Sequence, residues 1–182
     1  IRFDGQNTVS LENPLSQEQE VLRPSLTCGL LNVLARNSEL GNTKCAFFEI
    51  GNCFSQNSEC RFVGLVMNKC GLLELKSILE FLLQKAGIKD YKFIPCADPL
   101  FTAGYSSALV TSKEEFGFLG QVKKEILAEF RIDNSEVVIA GLNLDKLKNL
   151  ACFSRAYQPL PKYPSVQRDI SLIVDEAISY QT

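Results

Sequence analysis

At 182 residues the chain is sized for one domain, or for one domain and a fragment of another. Hydrophobic residues make up 46% and charged residues 22%, an ordinary globular balance that excludes a disordered or collagen-like chain. The formal charge of -2 and a pI of about 5.3 argue against a surface whose main work is gripping nucleic-acid phosphates.

In chain order, Val9-Ser10-Leu11 reads as a short extended entry. Asn13-Pro14 signals a turn, because the residue before proline avoids the helical region. Ser16 with Gln19 three residues on has the pattern of a capping box. Pro24 fits a first helical position, and Leu26, Leu30, Leu31 and Leu34 follow at helical spacing toward Asn37, with Gly41 past the end. Ala46 to Phe54 reads as a buried strand and Arg61 to Asn68 as its hairpin partner around Ser55-Gln56-Asn57-Ser58. Leu72, Leu75, Leu79, Leu82, Leu83 and Ala86 form a helical stripe stopped by Gly87. Tyr91 to Pro95 is a strand, and Ser106 to Thr111 pairs with Phe116 to Val122 around Ser112-Lys113-Glu114-Glu115. A short helix over Lys124 to Phe130 precedes an apolar strand, Val137 to Leu142. Asn143 caps the helix that carries Leu144, Leu147 and Leu150. Pro159, Pro161 and Pro164 mark a linker, and Ile170, Leu172 and Val174 alternate within Arg168 to Asp175 as in a half-buried strand. Hairpins with helices between them predict an α+β fold, a mostly antiparallel sheet flanked by helices.

The chain opens at Ile1 without a secretory leader pattern, so it reads as a piece of a longer protein. No apolar run is long enough to span a membrane, and the lysines at Lys123-Lys124, Lys146 and Lys148 read as solvated helix faces. Seven cysteines (Cys28, Cys45, Cys53, Cys60, Cys70, Cys96 and Cys152) include no Cys-x-x-Cys, and histidine is absent. That composition predicts no metal site and scattered free thiols in a reducing cytoplasm. Cys53 and Cys60 come near each other across the first hairpin, which alone implies no bond.

The ordered pieces Asn13-Pro14-Leu15-Ser16, Leu22-Arg23-Pro24-Ser25-Leu26, Gly29-Leu30-Leu31 and Phe47-Phe48-Glu49-Ile50-Gly51 resemble the C-terminal part of the bacterial phenylalanyl-tRNA synthetase beta subunit. Leu73 to Glu80 is similar to the family's D-L-K-G-x-L-E helix, and Phe118-Leu119-Gly120 to its I-G-x-x-G strand. Tyr163-Pro164-Ser165-Val166-Gln167-Arg168-Asp169-Ile170-Ser171-Leu172 resembles F-P-S-V-x-R-D-L-S-L, which opens the family's ferredoxin-like anticodon-binding domain. The resemblance implies a class II aminoacyl-tRNA synthetase-like, non-catalytic core over residues 1–156. It implies a linker and the first strand of a truncated anticodon-binding domain over 157–182.

It also implies a cytoplasmic alpha-2 beta-2 enzyme that uses ATP and magnesium to attach phenylalanine to its tRNA. The partner is the alpha subunit, tRNA is met through other parts of beta, and neither DNA nor a membrane is expected. Adenylate formation needs cations on the phosphates. The motif 2 strand, Phe48 to Phe54, runs into Ser55-Gln56-Asn57 without its arginine, and Asp145-Lys146 stands where a catalytic subunit has Glu-Arg. Lysine lacks arginine's bidentate fork, so Lys146 is either a remnant nucleotide contact or a solvent-facing residue. No catalytic, cofactor or metal residue is therefore expected in this segment. Asn13, Arg23 and Glu49 stand as interface or structural candidates, Arg23 wanting a carboxylate or carbonyl partner such as Glu49 or the alpha subunit. Phe101 to Tyr105 replaces the family's His-Pro-Gly-Arg, and Gln121 to Lys124 its Glu-Leu-His-Pro. The alternative is a freestanding regulatory or small-molecule-binding paralog, with a pocket between the sheet and Phe101 to Tyr105.

Overall fold

A computed structural model describes residues 8–14, 20–112, 114–132, 136–153, 168–171 and 173. The elements are α1 (Thr27–Glu39), β1 (Ala46–Ser55), β2 (Ser58–Asn68), α2 (Leu72–Lys85), β3 (Lys92–Pro95), β4 (Phe101–Val110), β5 (Glu115–Val122), α3 (Lys124–Glu129), β6 (Val137–Asn143) and α4 (Leu144–Leu150). The strands form one six-stranded sheet in the order β1-β2-β6-β5-β4-β3, with every neighbouring pair antiparallel.

β6 explains why both sheet faces are covered. Its seven residues are all buried, and alternation sends Val137 and Ile139 to one face and Val138, Ala140 and Leu142 to the other. On the first face α1 and α3 contribute Leu30, Leu31, Leu34 and Leu127, packed on Phe62 and Val66. On the second, α2 and α4 contribute Leu75, Leu79, Leu83 and Leu147, packed on Met67, Leu109 and Leu119. A strand sandwiched between two helix layers carries a continuous apolar run rather than an alternating one.

Helix ends follow local chemistry. α1 closes in a Schellman turn: Asn42 N–H donates to Asn37 O at 3.1 Å and Gly41 N–H to Ser38 O at 3.0 Å, with Gly41 at φ +87°. After α2, Gly87 adopts φ +73°, and a Cβ there would lie 1.9 Å from the Cys152 carbonyl oxygen. Only glycine admits that approach, which lets Cys152 N–H reach Ala86 O at 2.9 Å. Asn143 caps α4, its Oδ1 accepting from Lys146 N–H at 3.0 Å.

Several expectations shift. α1 begins at Thr27, not at Pro24, because the Arg23 carbonyl is committed to Phe54 N–H at 2.9 Å. β1 is not a buried strand: it is a sheet edge, and Phe48 is 72% and Ile50 55% exposed. The first hairpin turns on Gln56-Asn57 alone, since Ser55 and Ser58 are still register partners. Leu82 leaves the α2 core stripe and is exposed. β4 starts at Phe101 rather than Ser106, with a register shift between those residues. The Ser16–Gln19 cap, the proline linker and the boundary at 156/157 lie outside the described residues. Of the strand expected over Arg168 to Asp175, the described residues 168–171 and 173 join no ladder, and Ile170 is exposed. No helix among the described residues is long and apolar enough to cross a membrane.

Candidate interface site on the first strand

Arg23 lies across the outer edge of β1. Its Nη1 meets Glu49 Oε1 at 2.5 Å and its Nε donates to the Asn52 carbonyl at 2.8 Å. Together with the Phe54–Arg23 backbone bond, this covers the distal part of the edge. Gly51 makes the approach possible, because a Cβ there would fall 2.1 Å from Arg23 Nη2 and 3.0 Å from Cζ. The pair is partly open to water, with side chains 46% and 34% exposed, so its strength is that of a surface contact, roughly 0.2–1 kcal/mol. Burial pushes the neighbouring Cys53 thiol above its ordinary 9.0, and the Arg23 charge offsets part of that rise.

The structure thus brings Arg23 and Glu49 together. Asn13 is not in that contact; it stands exposed in the bend before Pro14, close to where Ser10 bridges Val21. Sequence patterning does not single out Arg61, which faces Asn52 across the ladder and donates from Nε to Asn52 Oδ1 at 3.2 Å. Asn52 Nδ2 in turn donates to Glu59 Oε1 at 2.5 Å. A two-residue turn at Gln56-Asn57 fixes that register, so it was the signal that pairs position 52 with 61.

The two edges of the sheet differ. β3 has four residues, carries Lys92 and ends in Pro95, the features that blunt an edge against further pairing. β1 has ten residues with neither lysine nor proline, and Phe48 and Ile50 project from it uncovered. Register places them opposite Leu65 and Val63, on the sheet face that carries α2 and α4.

The other face is filled by the chain's own side chains. Leu26 and Leu30 sit over Gly64, where a Cβ would meet Leu30 Cδ1 at 2.6 Å. The Phe118 ring occupies the space above Gly141 and the Phe101 ring that above Gly120, each within 2.6 Å of a built Cβ. The cavity left among Pro24, Leu26, Leu30, Cys53, Phe62 and Phe118 is about 10 Å³, room for one water at most. Where the alternative reading places a pocket, Phe101 is buried and tilted against Phe118 at 6.0 Å. Phe101 and Val122 are register partners, so the two departures from the family motifs meet at one place.

Asp145 and Lys146 are engaged structurally. Asp145 Oδ2 accepts from Arg61 N–H at 3.0 Å. Lys146 Nζ reaches Glu114 Oε2 at 2.6 Å and the Glu115 carbonyl at 2.7 Å, locking the β4–β5 hairpin to α4. Both side chains are thus held by partners within the chain. Among the described residues no group of three His, Cys, Asp or Glu could hold a metal ion.

The family profile described as "Phenylalanyl tRNA synthetase beta chain CLM domain" matches residues 2–144. The phenylalanine–tRNA ligase beta subunit of Clostridium tetani is 31% identical over 98% of this chain and 24% of its own length. That of Carboxydothermus hydrogenoformans is 32% identical over 96% of this chain and 24% of its own. The chain therefore spans about a quarter of these relatives. A pyrrolysyl tRNA synthetase from Desulfitobacterium hafniense superposes with a TM-score of 0.65 at 18% identity, covering 79% of this chain and 52% of that one, a likeness of fold. The antiparallel α+β sheet is thus synthetase-like, and the chain belongs to the phenylalanyl-tRNA synthetase beta chain family.

Proposed function

We propose that this chain is the C-terminal, catalytic-like but non-catalytic core of a phenylalanine–tRNA ligase beta subunit, with a class II synthetase-like fold. Its role is assembly. It packs on the alpha subunit of a cytoplasmic alpha-2 beta-2 enzyme and holds the catalytic site and the tRNA-binding parts in register, a contribution of preorganisation rather than bond making. ATP and magnesium would be bound by the rest of the enzyme, and tRNA by other parts of beta. Residues 157–182 would be a linker and the opening strand of a ferredoxin-like domain.

The observation that carries the non-catalytic reading is the filled sheet face: Leu26, Leu30, Phe101 and Phe118 occupy the space above Gly64, Gly120 and Gly141. The open β1 edge with Phe48 and Ile50 supports a partner surface, since long uncovered apolar edges are rare in proteins that work alone. Purified alone, the chain should give no phenylalanine-dependent pyrophosphate exchange; clear exchange would overturn the reading. Replacing Phe48 and Ile50 by Asp should leave the isolated chain as stable as before and weaken binding to the alpha subunit more than about tenfold. Unchanged binding would remove β1 from the interface.

A further inference from the structure

Cys53 on β1 and Cys60 on β2 are register partners, directly opposite across the first hairpin. Directly opposed residues in an antiparallel ladder have Cα atoms roughly 4.5–5.5 Å apart. That separation lies within the range of about 4.4–6.8 Å that a disulfide bridges. Both side chains lie on the same face: Cys53 is buried in the cluster of Leu26, Phe62 and Val66, and Cys60 packs half-buried against that cluster. Both thiols are free, and no other two cysteines of the chain are paired by the sheet register.

We propose that Cys53 and Cys60 are a reversible dithiol–disulfide switch, closed by a peroxide, that staples the tip of the β1–β2 hairpin. The more accessible Cys60 thiol reacts first: its sulfur displaces water from the peroxide and becomes a sulfenic acid, so sulfur is oxidised and peroxide reduced. The Cys53 sulfur then attacks Cys60 sulfur and the S–O bond breaks. The departing hydroxyl takes the Cys53 proton and leaves as a second water. A dithiol reductant returns the two electrons and reopens the pair. Burial holds the Cys53 thiol above its ordinary 9.0, so the closing step quickens as pH rises. The staple sits at the Arg23 contact, because the residues flanking Cys53 supply the Asn52 carbonyl and the Phe54 N–H that Arg23 binds. Closing it therefore stiffens the segment from Phe54 to Glu59 and the attachment of Arg23 together.

The test uses the whole chain carrying Cys152→Ser, which removes the exposed thiol. It is fully reduced, treated with hydrogen peroxide, blocked with iodoacetamide and cut after glutamate. The expected product is peptide 50–59 joined to peptide 60–74, separable only after reduction. Cys60→Ser should abolish that species in a chain that still folds, and Cys53→Ala should do the same from the other side. Amide exchange over Phe54 to Glu59 should be roughly tenfold slower in the oxidised form. The proposal is overturned if Cys53 and Cys60 both carry the alkyl label while other thiols oxidise. It is equally overturned if Cys60 proceeds to sulfinic acid without bridging, or if exchange at the tip is unchanged once the bridge has formed.

Discussion

Gly51 and Arg23 form a testable pair. A methyl group at position 51 would lie 2.1 Å from Arg23 Nη2, so the guanidinium must leave its place over the strand. Leaving breaks the Glu49 contact, worth roughly 0.2–1 kcal/mol in a half-exposed pair, and the Nε–Asn52 bond, about 0.5–1.5 kcal/mol. Alanine returns roughly 0.4–1 kcal/mol, because Gly51 is not among the positive-φ residues and the unfolded chain loses freedom. Gly51→Ala should therefore destabilise by about 1 kcal/mol. In an Arg23→Ala background the clash is gone, and the same change should be neutral or slightly stabilising. Urea unfolding of the wild type, both single variants and the double variant closes the cycle. Additivity within about 0.3 kcal/mol would refute the claim that Gly51 exists to seat Arg23.

Three further outcomes follow from the same geometry. Gly64→Ala drives a Cβ to 2.6 Å from Leu30 Cδ1 and 3.2 Å from Leu26 Cβ, and should cost about 1–3 kcal/mol, read as a lower melting temperature. Lys146→Met breaks the Glu114 pair and should cost at most about 1 kcal/mol while leaving phenylalanine activation by the assembled enzyme unchanged. A tenfold loss of exchange at normal stability would instead make Lys146 a nucleotide contact. Burial raises the Cys28 and Cys53 thiols above 9.0, so the unfolded chain ionises first as the solution becomes alkaline. Their contribution is complete below pH 9.0 and declines above it, and a urea midpoint that stays flat into the alkaline range would contradict this.

Much of the fold was legible because its signals are local. Leu75, Leu79 and Leu83 repeat at helical spacing and all reach 0% exposure. The run from Val137 and the cap at Asn143 sit where strand and helix chemistry put them. What failed depends on strand order, which no local pattern carries. The run Phe47-Phe48-Glu49-Ile50 looks like a central strand, and only the position of β1 at the sheet edge leaves Phe48 uncovered. Pro24 looks like a helix start until the Arg23 carbonyl is claimed by Phe54. The onset of β4 is hidden because the ladder between Phe101 and Ser106 runs through a register shift, with Gly104 at φ +79°. The Arg23–Glu49 contact was accessible as an unsatisfied cation near a carboxylate, whereas the tie between Lys146 and Glu114 joins residues from different hairpins and helices.

The place of β6 bears on how the molecule comes together. The middle of the sheet is the strand made last: β2 and β5 each wait for Val137–Asn143 to complete their hydrogen bonding. Before those residues leave the ribosome, the chain can form only a two-stranded hairpin and a separate three-stranded meander, each with an unsatisfied inner edge. A chain halted short of residue 137 has nothing to join the two halves, and both inner edges are then open to other chains. Folding is accordingly late and non-local, so chaperone demand should concentrate on the interval between synthesis of β5 and of β6.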